Sequence, residues 1–337
     1  MHLLFELSKE FLPLPRDEIL ACFHTEKIPY EIFIDTTDVI ALDVNADIDH
    51  ITKITQHLAF TFTVDELLFR CHPTCEDLAE KAYQHEIKQE GSLVIRYRNR
   101  SDSLSSQPFV KTLADVYTRN RSVDLHHPDH EIRIVLTNDC LFVGKKIHEI
   151  DRSAFEKRKV QHRPFFSPVS LHPKIARALV NLSKVGTDGI LLDPFCGTGG
   201  ILLEAGLLGL SLVGCDIESS MIEGTTNMLR NFTLPSDQLY CCDIGELSTY
   251  VKRVDGVATD FPYGKSTTTK GESRESLYHR AFKALYGLVK PGGRVVAGLP
   301  DTESVSIGAS FFTLDSTYIV PVHRSLTRYF SVFSKEP

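Results

Sequence analysis

The sequence predicts an α/β protein: a C-terminal Rossmann-like, doubly wound parallel sheet closed by a terminal antiparallel hairpin, with two smaller α/β modules before it. Three observations carry this expectation. From about residue 189, short apolar runs alternate with helix-length segments, the rhythm of strand–helix crossovers in a parallel sheet. Four of those runs end on an aspartate: Asp193, Asp216, Asp243 and Asp260. The first continues into Pro-Phe-Cys-Gly-Thr-Gly-Gly200, a glycine-rich turn of the kind that opens a helix and presents backbone N–H groups to a ligand.

Taken in order, strand patterns at 3–7, 30–34 and 39–44 surround a helix pattern at 16–23, which suits a small ferredoxin-like unit ending near 57. From 58 to 150, helix patterns at 74–85 and 109–118 alternate with strands at 92–97, 131–136 and 141–146. No glycine-rich phosphate loop occurs there, so that stretch reads as a binding module. The charged segment 151–165 is expected to be a linker, and 166–337 the catalytic domain. Within it, strands fall at 189–193, 211–216, 238–243, 254–260 and 294–299, and helices at 199–208, 219–231 and 273–290. Pro291-Gly292-Gly293 is expected to stop the last helix. Segments 311–320 and 328–333 could pair as the final hairpin.

Length and charge narrow the classes. A chain of 337 residues with 42% apolar residues suits two or three globular domains. The formal net charge of −7 excludes a uniformly basic coat but leaves room for a local basic face. The opening residues carry acids early, and no signal peptide is expected. The most apolar stretch, 190–215, contains Asp193, Pro194 and Glu204, so no membrane span is expected and a cytoplasmic location is. The eight cysteines read as reduced core residues; Cys71-His-Pro-Thr-Cys75 lacks a second ligand pair, so no metal is expected.

The strand-end acids point to a nucleoside cofactor, since ligands of such sheets lie beyond the carboxyl ends of the strands. Gly197 and Gly199 let the backbone approach the methionine portion of S-adenosylmethionine; Asp216 is placed for ribose hydroxyls and Asp243 for the adenine amine. With their neighbours Asp193, Phe195, Cys196, Thr198, Ile217, Cys242, Ile244 and Asp260, these are the expected cofactor residues. A dinucleotide oxidoreductase is the rival use of this geometry. It fits poorly, because Leu202 stands where G-x-G-x-x-G needs its last glycine. Asp260-Phe-Pro-Tyr-Gly264 sets an acid, a proline turn and a stacking ring together, the groups that hold an exocyclic base amine. Asp260, Phe261, Pro262 and Tyr263 are therefore the expected catalytic residues.

These two segments resemble the amino-methyltransferases, whose catalytic motif is usually (Asp/Asn)-Pro-Pro-(Tyr/Phe); Phe261 departs from it. Arg163-Pro-Phe-Phe-Ser-Pro-Val-Ser-Leu-His-Pro-Lys174 and His323-Arg-Ser-Leu-Thr-Arg328 resemble the archaeal and eukaryotic tRNA guanine-10 N2-methyltransferases. That resemblance covers nearly the whole chain. It implies a ferredoxin-like region and a THUMP RNA-binding domain before the catalytic domain, tRNA and not DNA as partner, and, as in eukaryotic relatives, a small zinc-binding activator subunit. Another RNA guanine, in tRNA position 6 or ribosomal RNA, and a non-catalytic RNA-binding protein are the alternatives. Arg96, Arg98, Arg121, Lys145, Lys146, Lys157, Arg158, Lys159, Arg324 and Arg328 are the expected RNA contacts.

Overall fold

The computed structural model describes residues 1–165, 170–263, 272–323 and 326–337. The chain forms two compact units: Met1–Lys9, Ile28–Gln56 and Thr61–Ile150 in one, Glu10–Lys27, His57–Phe60 and Asp151–Pro337 in the other. In chain order the first elements are β1 (His2–Leu7), α1 (Leu14–Thr25), β2 (Tyr30–Asp35), β3 (Val39–Val44), α2 (Ile48–His57), β4 (Thr61–Cys71), α3 (Cys75–Gln84), β5 (Leu93–Asn99), α4 (Gln107–Tyr117), β6 (His130–Leu136) and β7 (Leu141–Glu149).

All seven of these strands belong to one sheet, ordered β2-β3-β1-β4-β7-β6-β5. The expected division near residue 57 therefore does not divide the sheet: β1 pairs with β3 on one side and β4 on the other. Its charged interior is an ion network. Glu6, fully buried on β1, receives Arg98 at 2.9 Å, Arg100 at 3.1 Å and Arg133 at 3.4 Å.

α1 belongs to the second unit, whereas the strands that flank it in sequence belong to the first. Glu18 on α1 is fully buried and accepts from the Ala59 and Phe60 amides and from Asn181 Nδ2 at 2.8 Å. Those bonds explain why 57–60 travels with it.

The expected linker is largely structured: α5 (Arg152–Lys157) is capped by Asp151, and a short 3₁₀ turn follows over Val160–His162. Then come α6 (Pro173–Leu182), β8 (Ile190–Asp193), α7 (Gly200–Gly206), β9 (Ser211–Asp216), α8 (Ser219–Asn231), β10 (Leu239–Cys241), β11 (Val254–Asp260), α9 (Arg274–Leu288), β12 (Val289–Leu299), α10 (Thr302–Ala309), β13 (Thr313–His323) and β14 (Leu326–Ser334). The sheet order is β10-β9-β8-β11-β12-β14-β13. The first five strands are parallel, and β14 enters antiparallel between β12 and β13. This is the expected doubly wound sheet with its terminal hairpin.

One local expectation fails. α9 ends at Leu288, ahead of Pro291-Gly292-Gly293, and β12 begins at once. Gly292 and Gly293 instead exchange backbone bonds with Lys335, at 2.9 and 3.0 Å. Among the described residues no helix is long and apolar enough to cross a membrane.

The order reverses between β8 and β11: the chain leaves β8 toward β9, whereas β11 leads to β12 on the other side. Such a switch point opens a crevice at the strands' carboxyl ends. Asp193 and Asp260 stand there.

Candidate active site

The Asp193 carboxylate, buried at the end of β8, accepts from Thr259 Oγ1 at 2.7 Å and from the Phe195 amide at 3.3 Å. Burial pushes its carboxyl up to about 7. It thus shapes the turn that follows. In that turn Cys196 is buried and its amide bonds the Cys215 carbonyl at 2.9 Å, tying the loop to β9. Gly197 (φ 48°) and Gly199 (φ 73°) occupy the left-handed region that favours glycine. A Cβ on Gly199 would also lie 2.6 Å from Thr225 Cγ2 and 2.7 Å from Met228 Cε. A Cβ on Gly197 would meet only the Phe195 carbonyl, at 4.0 Å, so the space before it is open. Thr198 is buried and bonds Ser170 Oγ at 2.8 Å.

Asp216 ends β9 half-buried, receiving the Gly197 amide on Oδ2 and the Glu218 amide on Oδ1, both at 3.0 Å. It buttresses the glycine loop and retains lone-pair positions for a ligand hydroxyl. Ile217 is half-buried beside it. Cys242 and Ile244 are buried in the core, with Cys242 Sγ 3.3 Å from Cys215 Sγ. Asp243 carries more than the sequence suggests: Arg280 of α9 grips both its oxygens, and the Gly245 amide donates to Oδ1 at 2.8 Å. An adenine amine would have to share that carboxylate with Arg280. An open glycine loop with a strand-end acid behind it fits a nucleoside cofactor with an amino-acid tail.

Across the switch point, β11 delivers Asp260. Its Oδ1 accepts from the Tyr263 hydroxyl, and Arg328 Nη2 lies 2.9 Å from Oδ2. Arg328 Nε also donates to the Tyr263 oxygen at 3.1 Å. Burial pushes the Asp260 carboxyl up to about 6, while Arg328 and the Tyr263 hydrogen bond pull the other way. Burial, then the neighbouring Asp260, raises the Tyr263 hydroxyl far above its ordinary value. Arg328 is 6% exposed, so it is not the surface RNA contact that the sequence suggested; it is a member of this triad. Nothing in its local pattern distinguishes it from a solvated arginine on a strand.

Phe261 has a physical reason to replace the usual proline. Its ring is 1% exposed and stacks on Phe282 at 5.0 Å, with Phe195 and Tyr278 each 4.9 Å away. Its amide donates to the Gly298 carbonyl at 3.0 Å, a bond proline cannot make. Pro262 is half-buried, and its carbonyl is fixed by the Tyr278 hydroxyl at 2.9 Å. Gly298, paired with Asp260 across β11 and β12, was not anticipated: a Cβ there would lie 2.3 Å from Asp260 Oδ1. Its role is to make room for the carboxylate.

The remaining basic residues divide by partner. Arg98 is held by Glu6, Lys146 by Glu131, Arg158 by Glu204 at 2.8 Å and Lys159 by Glu156. Arg121 turns to the Ile87 carbonyl, and Arg96 to the Leu125 carbonyl at 2.6 Å. Arg158 is thus a structural ion-pair member. Arg96 and Lys157 are exposed and Lys145 is half-buried; Arg324 and Gly264 lie outside the described residues.

Comparison with known proteins decides what this site belongs to. The RMKL-like methyltransferase domain family matches residues 161–329. The tRNA (guanine(10)-N2)-dimethyltransferase of Methanothermobacter thermautotrophicus is 32% identical, covering 99% of this chain and 100% of its own. The chain belongs to this family of S-adenosylmethionine-dependent methyltransferases. The enzyme of the same name from Methanocaldococcus jannaschii is 36% identical over 69% of this chain and 66% of its own. TrmN from Thermus thermophilus shares the fold, with a TM-score of 0.58 at 19% identity over 99% of this chain and 100% of its own. Asp193, the glycine loop and the Asp260–Tyr263–Arg328 triad lie within the stretch that this family matches.

Proposed function

We propose that this protein methylates the exocyclic N2 amine of guanosine 10 in tRNA, twice in succession, and does so in the cytoplasm. The full-length relation to an enzyme named for that reaction supports the substrate and the dimethylation. The observation that carries the chemistry is Asp260, a largely buried carboxylate at the switch point with one oxygen pinned by Arg328. Its partner set is tRNA together with a small zinc-binding activator subunit. Full turnover by the purified chain alone would remove the activator from that set.

Bound S-adenosylmethionine supplies an electrophilic methyl group. Gly197, Gly199 and Asp216 hold and orient that cofactor. The guanine amine is a weak nucleophile, its lone pair delocalised into the ring, so alignment supplies most of the gain. Asp260, with its pKa near 6, is ionised at neutral pH and accepts an amine hydrogen on Oδ1. In the structure Tyr263 occupies that oxygen, so the incoming amine replaces the tyrosine hydroxyl and frees its ring to lie against the extruded base. Arg328 keeps Oδ2 and fixes the carboxylate through the exchange. The Phe261 carbonyl is the second acceptor, on a backbone held by Gly298 and by the stacked core beneath.

The test is Asp260→Ala, assayed for methyl transfer to an unmodified tRNA transcript and, separately, for cofactor binding by calorimetry. Transfer should be lost with cofactor affinity retained. Transfer at near wild-type rate would remove Asp260 from the chemistry.

A further inference from the structure

Three guanidinium groups, Arg158, Arg163 and Arg177, gather around a single buried acid, Glu204 on α7. Arg158 donates to both Glu204 oxygens, at 2.8 and 3.1 Å. Arg177 donates to Oε2 through Nε at 3.1 Å, and its Nη2 lies 2.9 Å from the same oxygen. Those four contacts, three of them on Oε2, engage both oxygens of one carboxylate. Arg163 makes none of them. It is 4% exposed, and its Nε donates to the Arg158 carbonyl at 2.8 Å. Its Nη1 and Nη2 are buried and have no hydrogen-bond partner among the described residues. A buried guanidinium end without an acceptor is strongly unfavourable, so an anion is expected there in the working state.

The location identifies the anion. A Cβ on Gly200 would lie 2.8 Å from Arg163 Nη1, which puts the guanidinium against the residue that follows the glycine loop. Two residues on, the Phe165 ring lies so close to Gly224 of α8 that a Cβ there would be 2.3 Å from it. Further along, Ser170 bonds Thr198 within the loop. Arg163, Phe165 and Ser170 are thus seated against the glycine loop and α8. A planar two-nitrogen fork matches a carboxylate. An RNA phosphate, part of a bulky solvated backbone, is a poorer match to nitrogens this enclosed.

We propose that Arg163 is a cofactor-binding residue whose two terminal nitrogens clamp the α-carboxylate of the amino-acid tail of S-adenosylmethionine. The proposal rests on the cofactor reading above and adds to it the group that recognises the far end of the ligand.

A chemical double-mutant cycle tests it on the full chain by calorimetry. Wild type, Arg163→Met and Arg163→Lys are each titrated with S-adenosylmethionine and with decarboxylated S-adenosylmethionine, which lacks only the carboxylate. Wild type should bind the decarboxylated ligand about ten- to a hundredfold more weakly. Arg163→Met should bind S-adenosylmethionine more weakly by a similar factor and the decarboxylated ligand as wild type does. Arg163→Lys, which keeps the charge but not the fork, should fall between and provides the comparison if the methionine variant does not fold. Equal weakening of both ligands would overturn the proposal in favour of a packing role. Unchanged S-adenosylmethionine affinity with weakened tRNA binding would overturn it in favour of a phosphate contact. Wild type binding neither ligand would instead refute the cofactor reading on which it rests.

Discussion

Gly298→Ala adds one methyl group outside every motif in the sequence, yet it should disable the enzyme. A Cβ at that position would lie 2.3 Å from Asp260 Oδ1, where ordinary contact begins near 3.4 Å, so about 1 Å of relief must be found. It cannot come from the other side, because the fully buried Phe330 ring would be 2.9 and 3.2 Å from the same atom. Nor can the strands part freely, since the Phe261 amide is bonded to the Gly298 carbonyl. The carboxylate must therefore swing away from the line set by Arg328. A displacement of about 1 Å at a reacting centre costs on the order of a hundredfold in rate, and the overpacking about 1–3 kcal/mol in stability. The glycine loop and Asp216 do not touch Gly298, so cofactor affinity should hardly change. Single-turnover methyl transfer, cofactor calorimetry and thermal unfolding separate the three effects. A folded variant within about threefold of the wild-type single-turnover rate would refute the claim that Asp260 must sit where it does.

Arg328→Met removes the cation that lowers the Asp260 pKa, so the acidic limb of the pH–rate profile, near 6 in the wild type, should move to higher pH; an unmoved limb would contradict the triad. Burial pushes the Glu18 carboxyl from its ordinary 4.5 up to about 7, so the stability it gives is full below 4.5 and is lost as pH rises through 7. Glu18→Gln should flatten that decline in thermal midpoint, and an unchanged pH profile would count against it. Gly199→Ala forces a side chain into positive φ and against Thr225 and Met228, and calorimetry should show weaker cofactor binding. A fragment starting at Asp151 lacks α1 and residues 57–60, which belong to the same compact unit, and should unfold at lower temperature than the full chain. An equal midpoint would show that α1 is dispensable.

What the sequence disclosed follows from what is local. The strand-end acids, the glycine loop and the Asp260–Tyr263 segment are contiguous patterns, and α8 lies over Ser219–Asn231 as expected. β4 went unread because its buried residues do not alternate cleanly; it is a central strand paired on both sides. Position 328 is 68 residues from Asp260, and only the insertion of β14 beside β12 brings the arginine to the acid. Gly298 becomes meaningful only through the parallel register that sets it opposite Asp260. The ion pairs within the basic runs went unread for the complementary reason. Counting charges gives no sign that Glu6, Glu131 and Glu204 lie within reach of Arg98, Lys146 and Arg158.

The decisive measurement is the position and identity of the modified nucleoside. An unmodified tRNA transcript is incubated with the purified chain, its activator subunit and S-adenosylmethionine, then digested and mapped by mass spectrometry, alongside a transcript carrying adenosine at position 10. N2-methylguanosine followed by N2,N2-dimethylguanosine should accumulate at position 10 of the first transcript, with no methyl group on the second. Methylation of the adenosine transcript at an equal rate, or a product methylated on an adenine or on another guanine, would contradict the assignment.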